Sequence, residues 1–202
     1  AAISACEKCG QWVRALGLLD EMQKRSLEPN AISYNAAISA CDKSGRWERA
    51  LGMLSEMQDR VLEPNAISYN AAMSACEACE QWERALALLV DMQEHDLEAS
   101  VVSYNSAISA FSSGRQTVKA LELWAEMRQR SVMPNVISFN AAISALENGK
   151  NELWERALKL FVDMQNRDVK PDVVTYSAVI TACEGGQQWE QAVYLLAEMW
   201  KR

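Results

Sequence analysis

The chain has 202 residues, half of them apolar and 23% charged, with a formal net charge of −7. This is the composition of an ordinary soluble folded protein, and its acidic balance argues against gross non-specific attraction to nucleic acid while leaving the charge of any one face open. No apolar run approaches the ~20 residues that span a bilayer, which excludes a membrane partner, and six cysteines without a secretory leader point to reduced, buried thiols.

The chain opens at Ala1 without initiator methionine or charged leader, and so reads as a piece of a longer protein, with any targeting peptide outside it. Residues 1–30 form a partial unit carrying Trp12 and ending on Pro29-Asn30. Residues 31–65 form the first complete unit. In it Tyr34, Ala37, Ile38 and Cys41 share the i, i+3, i+4, i+7 stripe of a helix with one buried face. Ala36 and Ala40 are small enough for close approach of a neighbour. Ser33 reads as the N-cap of this helix, and Gly45 follows it where a left-handed residue is wanted. A second helix begins near Trp47 and turns Ala50, Leu51, Leu54 and Met57 inward, with Glu48, Arg49, Glu56 and Asp59 mostly outside. Pro64 then biases Glu63 away from helical geometry and resets the chain.

The pattern repeats over 66–100, 101–135 and 136–172, with a further partial unit at 173–202. Tyr34-Asn35, Tyr69-Asn70, Tyr104-Asn105, Phe139-Asn140 and Tyr176-Ser177 are spaced 35, 35, 35 and 37 residues apart. Trp47, Trp82 and Trp154, with variants at Trp12 and Trp189, and the prolines at 29, 64, 134 and 171 keep the same register. Such a period means stacked supersecondary units. The expected fold is therefore all-α: a right-handed α-solenoid of antiparallel helix–turn–helix repeats forming a single array over 1–202. Two extra residues around Asn148–Leu153 fall in a turn, and Thr117 in place of Trp and Ala99 in place of Pro mark looser junctions.

Other features read as packing. The tyrosines and the Trp stripe are placed in the core rather than stacked on a ligand. Cys6–Cys9 and Cys76–Cys79 have a C-x-x-C spacing, but Cys6 and Cys76 match Cys41 and Cys183 on the buried stripe, and the two pairs lie two repeats apart, so no metal site is assigned. His95, beside Glu94 and Asp96, has no nucleophile patterned around it. Without a convergent acidic cluster or nucleotide-binding loop, neither catalysis, a cofactor nor a small-molecule substrate is expected.

The 35-residue unit, with Val101-Val102-Ser103-Tyr104-Asn105, Ile-Ser-Ala-Cys, Glu-Arg-Ala-Leu, Asp-Met-Gln and a closing Pro followed by Asn or Asp, differs from the 34-residue tetratricopeptide pattern. It resembles the pentatricopeptide repeat family over the whole chain, most closely in Lys170-Pro171-Asp172 and Val173-Val174-Thr175-Tyr176. The resemblance implies recognition of single-stranded RNA, one base per repeat, by first helices lining a groove, in mitochondrial or chloroplast RNA processing, editing, stabilisation or translation. It implies base-reading pairs Asn35 with Asn65, Asn70 with Ser100, Asn105 with Asn135 and Asn140 with Asp172, with Asn30 and Ser177 as unpaired members. It further implies base-sandwiching by Ile32, Ile67, Val102, Ile137 and Val174, and a C/U-rich target near 5′-C-C-C-U-purine-3′ read with the protein N-terminus at the RNA 5′ end.

Two alternatives bear on this. The asparagines at 35, 70, 105 and 140 are equally residues that satisfy backbone groups at a helix start. A recurring set of carboxylates, Glu7, Asp42, Glu77, Glu147 and Glu184, lies on or near the same face, with Lys8 and Lys43 beside two of them, unless it occupies a solvated rim. That acidity would suit a tetratricopeptide-like scaffold with protein partners.

Overall fold

The computed structural model describes residues 2–147 and 153–201, and every element among them is an α-helix. The first helices of successive repeats are α1 (Ala2–Lys8), α3 (Ala31–Asp42), α5 (Ala66–Glu77), α7 (Val101–Ser113), α9 (Val136–Glu147) and α11 (Val173–Gly185). The second helices are α2 (Trp12–Lys24), α4 (Trp47–Asp59), α6 (Trp82–Glu94), α8 (Thr117–Gln129), α10 (Leu153–Asn166) and α12 (Trp189–Lys201). The fold is an all-α helical repeat solenoid. Most of the two-residue insertion in the fourth complete repeat lies outside the described residues.

Packing divides the chain into two compact units, Ala1–Ser106 and Ala107–Arg202. Within the first, α3 packs on α4, α5 on α6, and α3 lies between α1 and α5. Within the second, α9 packs on α10 and on α11, and α11 on α12. The first helices supply most of the core: Tyr34, Ala37, Ile38, Ala40 and Cys41 of α3 are fully buried, as are their counterparts in α5. Within the first unit α3 is sandwiched, whereas α4 keeps a solvated outer face and buries only the stripe Ala50, Leu54 and Met57. In the second unit Phe161 and Tyr176 meet edge to face at 5.2 Å over Val179, Cys183 and Leu195.

Several expectations are corrected. The cap of α3 is Asn30, whose side chain accepts from the Ser33 backbone N–H, so the helix starts before the exposed Ile32 and Ser33 is its third residue. The Trp stripe is not core: Trp47, Trp82 and Trp154 sit half-buried at the first turn of their helices, and Trp189 is 69% exposed. Trp12 and Trp154 lie against the turn of the following repeat. Arg46 stacks over Trp12 at 5.4 Å, and the Trp154 indole occupies the space a side chain on Gly186 would need. The Thr117 junction is tied, not loose, because its hydroxyl donates to the Ala145 carbonyl at 2.8 Å.

Nor are all the thiols buried. Cys41, Cys76 and Cys183 are, and burial pushes the first two up to about 11, leaving them protonated and inert at neutral pH. Cys9 is exposed, and Cys79 lies in a turn where its thiol meets the Gly45 carbonyl at 3.4 Å. One repeat earlier Ser44 makes the same contact to the Gly10 carbonyl at 2.8 Å, so the second cysteine of that C-x-x-C stands in for a turn serine.

Candidate nucleic-acid interface

The site is built from two positions 30 or more residues apart in sequence. The fifth residue of each first helix is Asn35, Asn70, Asn105, Asn140 or Ser177; the residue that closes each repeat is Asn65, Ser100, Asn135 or Asp172, with Asn30 in the same register. The second group consists of helix caps. Asn30, Asn65 and Asp172 have extended backbones, and their side chains accept from backbone N–H groups of the first turn. Around Asn65 and Asp172 the serine or threonine three residues on returns the bond, completing a capping box. The helix-start role therefore belongs to the closing residues. Asn35 and its equivalents sit in the second turn, where no backbone donor needs them.

Their amides reach into the next repeat instead. Asn35 Nδ2 donates to Asn65 Oδ1 at 3.3 Å, and Asn140 Nδ2 donates to both carboxylate oxygens of Asp172, at 3.1 and 3.3 Å. These two pairs are joined directly. Asn70 is held by Ser103 at 2.7 Å, while the Ser100 hydroxyl lies 3.2 Å from that of the same Ser103. Asn105, itself buried, and Asn135 are each engaged within the fold.

The orientation of these amides follows from the backbone outward. Asn65 Oδ1 accepts from the N–H groups of Ile67 and Ser68, which cannot act as acceptors, so its oxygen must point that way. Asn35 must then face it with nitrogen. Asp172 carries the one charge in the set. Burial raises its pKa, but hydrogen bonds from Thr175 and Asn140 outweigh that and hold the carboxyl below its ordinary range, so it is ionised at neutral pH.

The second residue of each helix flanks this polar row. Ile32, Ile67, Val102, Ile137 and Val174 are 51–72% exposed at identical register, although the other apolar residues of these helices are largely buried. In the second unit Ile137, Asn140 and Val174, with Ser109 and Ser144, line a cleft of about 370 Å³. One amide and two exposed aliphatic side chains share its wall. The small serines one turn along escaped the sequence reading. Their signal was available in the constant Ser39, Ser74, Ser109 and Ser144.

Four of the five recurring carboxylates, Glu7, Asp42, Glu77 and Glu147, are half-buried rather than on a solvated rim. Asp42 and Glu147 are half-buried; burial raises both pKa values against the opposing bonds of Ser74 and Ser144 respectively. Glu7 is half-buried and pairs with Lys43 of the next repeat at 3.4 Å, while Glu184 is exposed. Among the described residues no three His, Cys, Asp or Glu side chains come together as a metal site, and no helix is long and apolar enough to cross a membrane.

Comparison with protein families matches this architecture to the PPR repeat family at residues 1–41, 29–77, 64–112, 99–148 and 134–185, and to the PPR repeat again at 174–202. The chain belongs to the PPR repeat family. Among solved structures, PPR10 in complex with an 18-nt psaJ RNA element is 24% identical, with a TM-score of 0.77 over 96% of this chain and 28% of that one. PPR10 from maize solved in its own right gives a TM-score of 0.69 at 24% identity, over 98% of this chain and 28% of that one. The PPR domain of Arabidopsis thaliana protein-only RNase P 1 in complex with tRNA is 18% identical, with a TM-score of 0.76 over 94% of this chain and 95% of that one. The likeness to these PPR structures is one of fold, and the chain spans only about 28% of the length of PPR10. No match was found among curated proteins.

Proposed function

We propose that this PPR array binds single-stranded RNA along its first helices, about one base per repeat with a preference for pyrimidines. The carrying observation is the cleft at Asn140, where an amide fixed by Asp172 shares the wall with the exposed aliphatics Ile137 and Val174. Edge-on hydrogen bonding with apolar contact on both faces is how an unstacked base is held. Two structurally similar PPR proteins are themselves RNA complexes, which supports the reading.

The hydrogen-bond inventory supports a base preference. Asn65 has its oxygen engaged by Ile67, Ser68 and Asn35, so it offers its NH₂ as donor, which suits the N3 and O2 acceptors of cytosine. Asp172 is a carboxylate with acceptor capacity remaining, which suits the N3–H of uracil. Ser177 is shorter than Asn and leaves room for a purine. These assignments give 5′-C-C-C-U-purine-3′, in the organellar setting that the family resemblance implies.

Titration of labelled CCCUA against an all-adenine strand at about 100 mM salt tests the proposal, with Asn70→Thr and Asn105→Thr as variants. RNA reading predicts at least about tenfold tighter binding of the matched strand, roughly 1.4 kcal/mol, and a shift toward purine in both variants. Equal binding of the two strands overturns the proposal. A protein-interaction scaffold predicts indifference to strand and to substitution.

A further inference from the structure

The capping boxes hold one proton more than capping requires. In a capping box the serine or threonine at the third helical position accepts, through an oxygen lone pair, from the N–H of the cap residue. Asn65 N–H donates to Ser68 Oγ at 3.1 Å, Ser100 N–H to Ser103 Oγ at 3.1 Å, and Asp172 N–H to Thr175 Oγ1 at 3.1 Å. Each hydroxyl still has its own proton to donate. In all three cases the shortest contact is to the asparagine of the preceding repeat: Ser68 to Asn35 Oδ1 at 2.6 Å, Ser103 to Asn70 Oδ1 at 2.7 Å and Thr175 to Asn140 Oδ1 at 2.6 Å. The alternative acceptor on the cap is farther in each case, at 3.3, 3.2 and 2.9 Å. Ser68, Ser103 and Thr175 are fully buried, so water does not compete for that proton.

We infer that the third-position hydroxyls of Ser68, Ser103 and Thr175 are positioning residues for the base-facing asparagine of the repeat before each, locking that amide with oxygen inward and, at Asn35 and Asn140, nitrogen toward the closing residue. The inference rests on the RNA reading above and deepens it. An asparagine amide can turn over and exchange donor for acceptor with little change of shape. A hydroxyl aimed at Oδ1 together with an acceptor facing Nδ2 admits one orientation only. The reading unit then has three members, Asn35, Asn65 and Ser68, and the third is set by the repeat that follows. It does not touch the base. It decides which of the two amide groups the base meets.

Ser68→Ala in the full chain removes the proton, while Asn65 stays held by the Ile67 and Ser68 backbone N–H groups. Ser68→Thr keeps both functions, as Thr175 does three repeats on. Two readouts apply: ¹⁵N relaxation of the Asn35 side-chain amide in the free protein, and the preference for C over A at the one base facing Asn35. The expected result is a mobile Asn35 amide in Ser68→Ala, with that preference falling about tenfold while preference at the other positions is unchanged, and recovery of both in Ser68→Thr. Loss of cap stability alone would lower melting without touching the preference at a single base. An Asn35 amide as rigid in Ser68→Ala as in the parent overturns the inference whatever RNA does. So does a mobile amide with base preference intact. Should the parent protein prefer no base at all, the RNA reading fails, and the amide measurement by itself upholds or overturns the positioning role.

Discussion

The tyrosine at the fourth position of α3, α5, α7 and α11 is buried, but a buried phenolic hydroxyl still needs a partner. Tyr34, Tyr69 and Tyr176 donate to Glu56, Asp91 and Glu198 of the second helix in the same repeat, at 2.8, 2.8 and 3.0 Å. Gln23, Gln58 and Gln165 of the preceding repeats reach the same carboxylates, at 3.0, 3.5 and 3.4 Å. Burial, reinforced by the Glu56 bond, pushes the Tyr34 phenol up to about 12. The acid escaped the sequence reading because Glu56 lies off the apolar stripe; only the fold brings a buried phenol to it. The fourth complete repeat breaks the pattern twice. Phe139 supplies no hydroxyl, and Asp163 Oδ2 is left buried without a hydrogen-bond partner, while Arg128 holds the glutamine register and approaches that oxygen to 3.8 Å. Phe139→Tyr should restore the bond and stabilise the protein by about 1 kcal/mol, since bonds to charged acceptors contribute roughly 1.5–3 kcal/mol and Arg128 already offsets part of the deficit. Thermal unfolding checks this, with an expected rise of about 2–4 °C; an unchanged or lower midpoint counts against it.

At the scale of the elements, each described turn turns on one left-handed residue. Between first and second helices these are Gly10, Gly45, Glu80, Arg115 and Gln187, with φ of 55–61°; between second helix and next repeat they are Ser26, Val61, Asp96, Ser131 and Asp168, with φ of 55–59°. A backbone bond closes each turn, as from Arg46 N–H to the Cys41 carbonyl at 2.9 Å and from Leu62 N–H to the Met57 carbonyl at 2.9 Å. Gly45 was legible as a turn residue in the sequence. The eight non-glycine residues were not, because the closing bond forces left-handed geometry on side chains that do not favour it. Val61 is the most strained in type, being β-branched, and its side chain is 88% exposed, so no packing compensates. Val61→Asn should therefore stabilise by about 1 kcal/mol, at the low end of the ~1–2 kcal/mol cost of left-handed geometry. A chemical denaturation midpoint that does not rise would refute the strain argument. Gly186→Ala should act the other way, because a Cβ there overlaps the Trp154 ring.

For the molecule as a whole, the balance of charge would govern the proposed binding of RNA. The formal net charge is −7, and Asp42 stands seven residues from Asn35, about 10 Å along the helix. At that distance in a water-like dielectric a charge pair interacts by roughly 0.4 kcal/mol, about twofold in affinity. Burial raises the folded-state pKa of Asp42 and Glu147. The native state thus binds the extra protons, and the stability these groups contribute is complete below their unfolded pKa and lost as pH rises through the folded value. Acidification from neutrality should first neutralise them, raising both stability and RNA affinity before general acid unfolding begins. Asp42→Asn should bind RNA about twofold more tightly at pH 7 and show a flatter pH profile. Equal profiles for parent and variant would remove Asp42 from the binding face. With Lys43 already paired to Glu7, phosphate contacts are few, and the salt dependence should be shallow, with a slope of log affinity against log salt of roughly −1 to −2.

The sequence by itself determined the period, the helical hairpin, the core stripe of Tyr, Ala, Ile and Cys, and the register of the asparagines, because each is a local pattern repeated without a change of phase. It misplaced the cap by three residues, since Asn and Ser both suit a helix start and only the folded backbone shows that Asn30 accepts from Ser33. It also set the Trp residues in the core, whereas Trp12 and Trp154 lie at the surface against the turn of the following repeat. Tertiary structure alone decided that Asn35 is joined to Asn65, that Ser68 reaches back to Asn35, and that Asp42 and Glu147 are half-buried. Those contacts link residues about one repeat apart in sequence. A helical pattern fixes the face on which a side chain lies, while stacking of the next repeat fixes what that side chain meets and how much water remains around it.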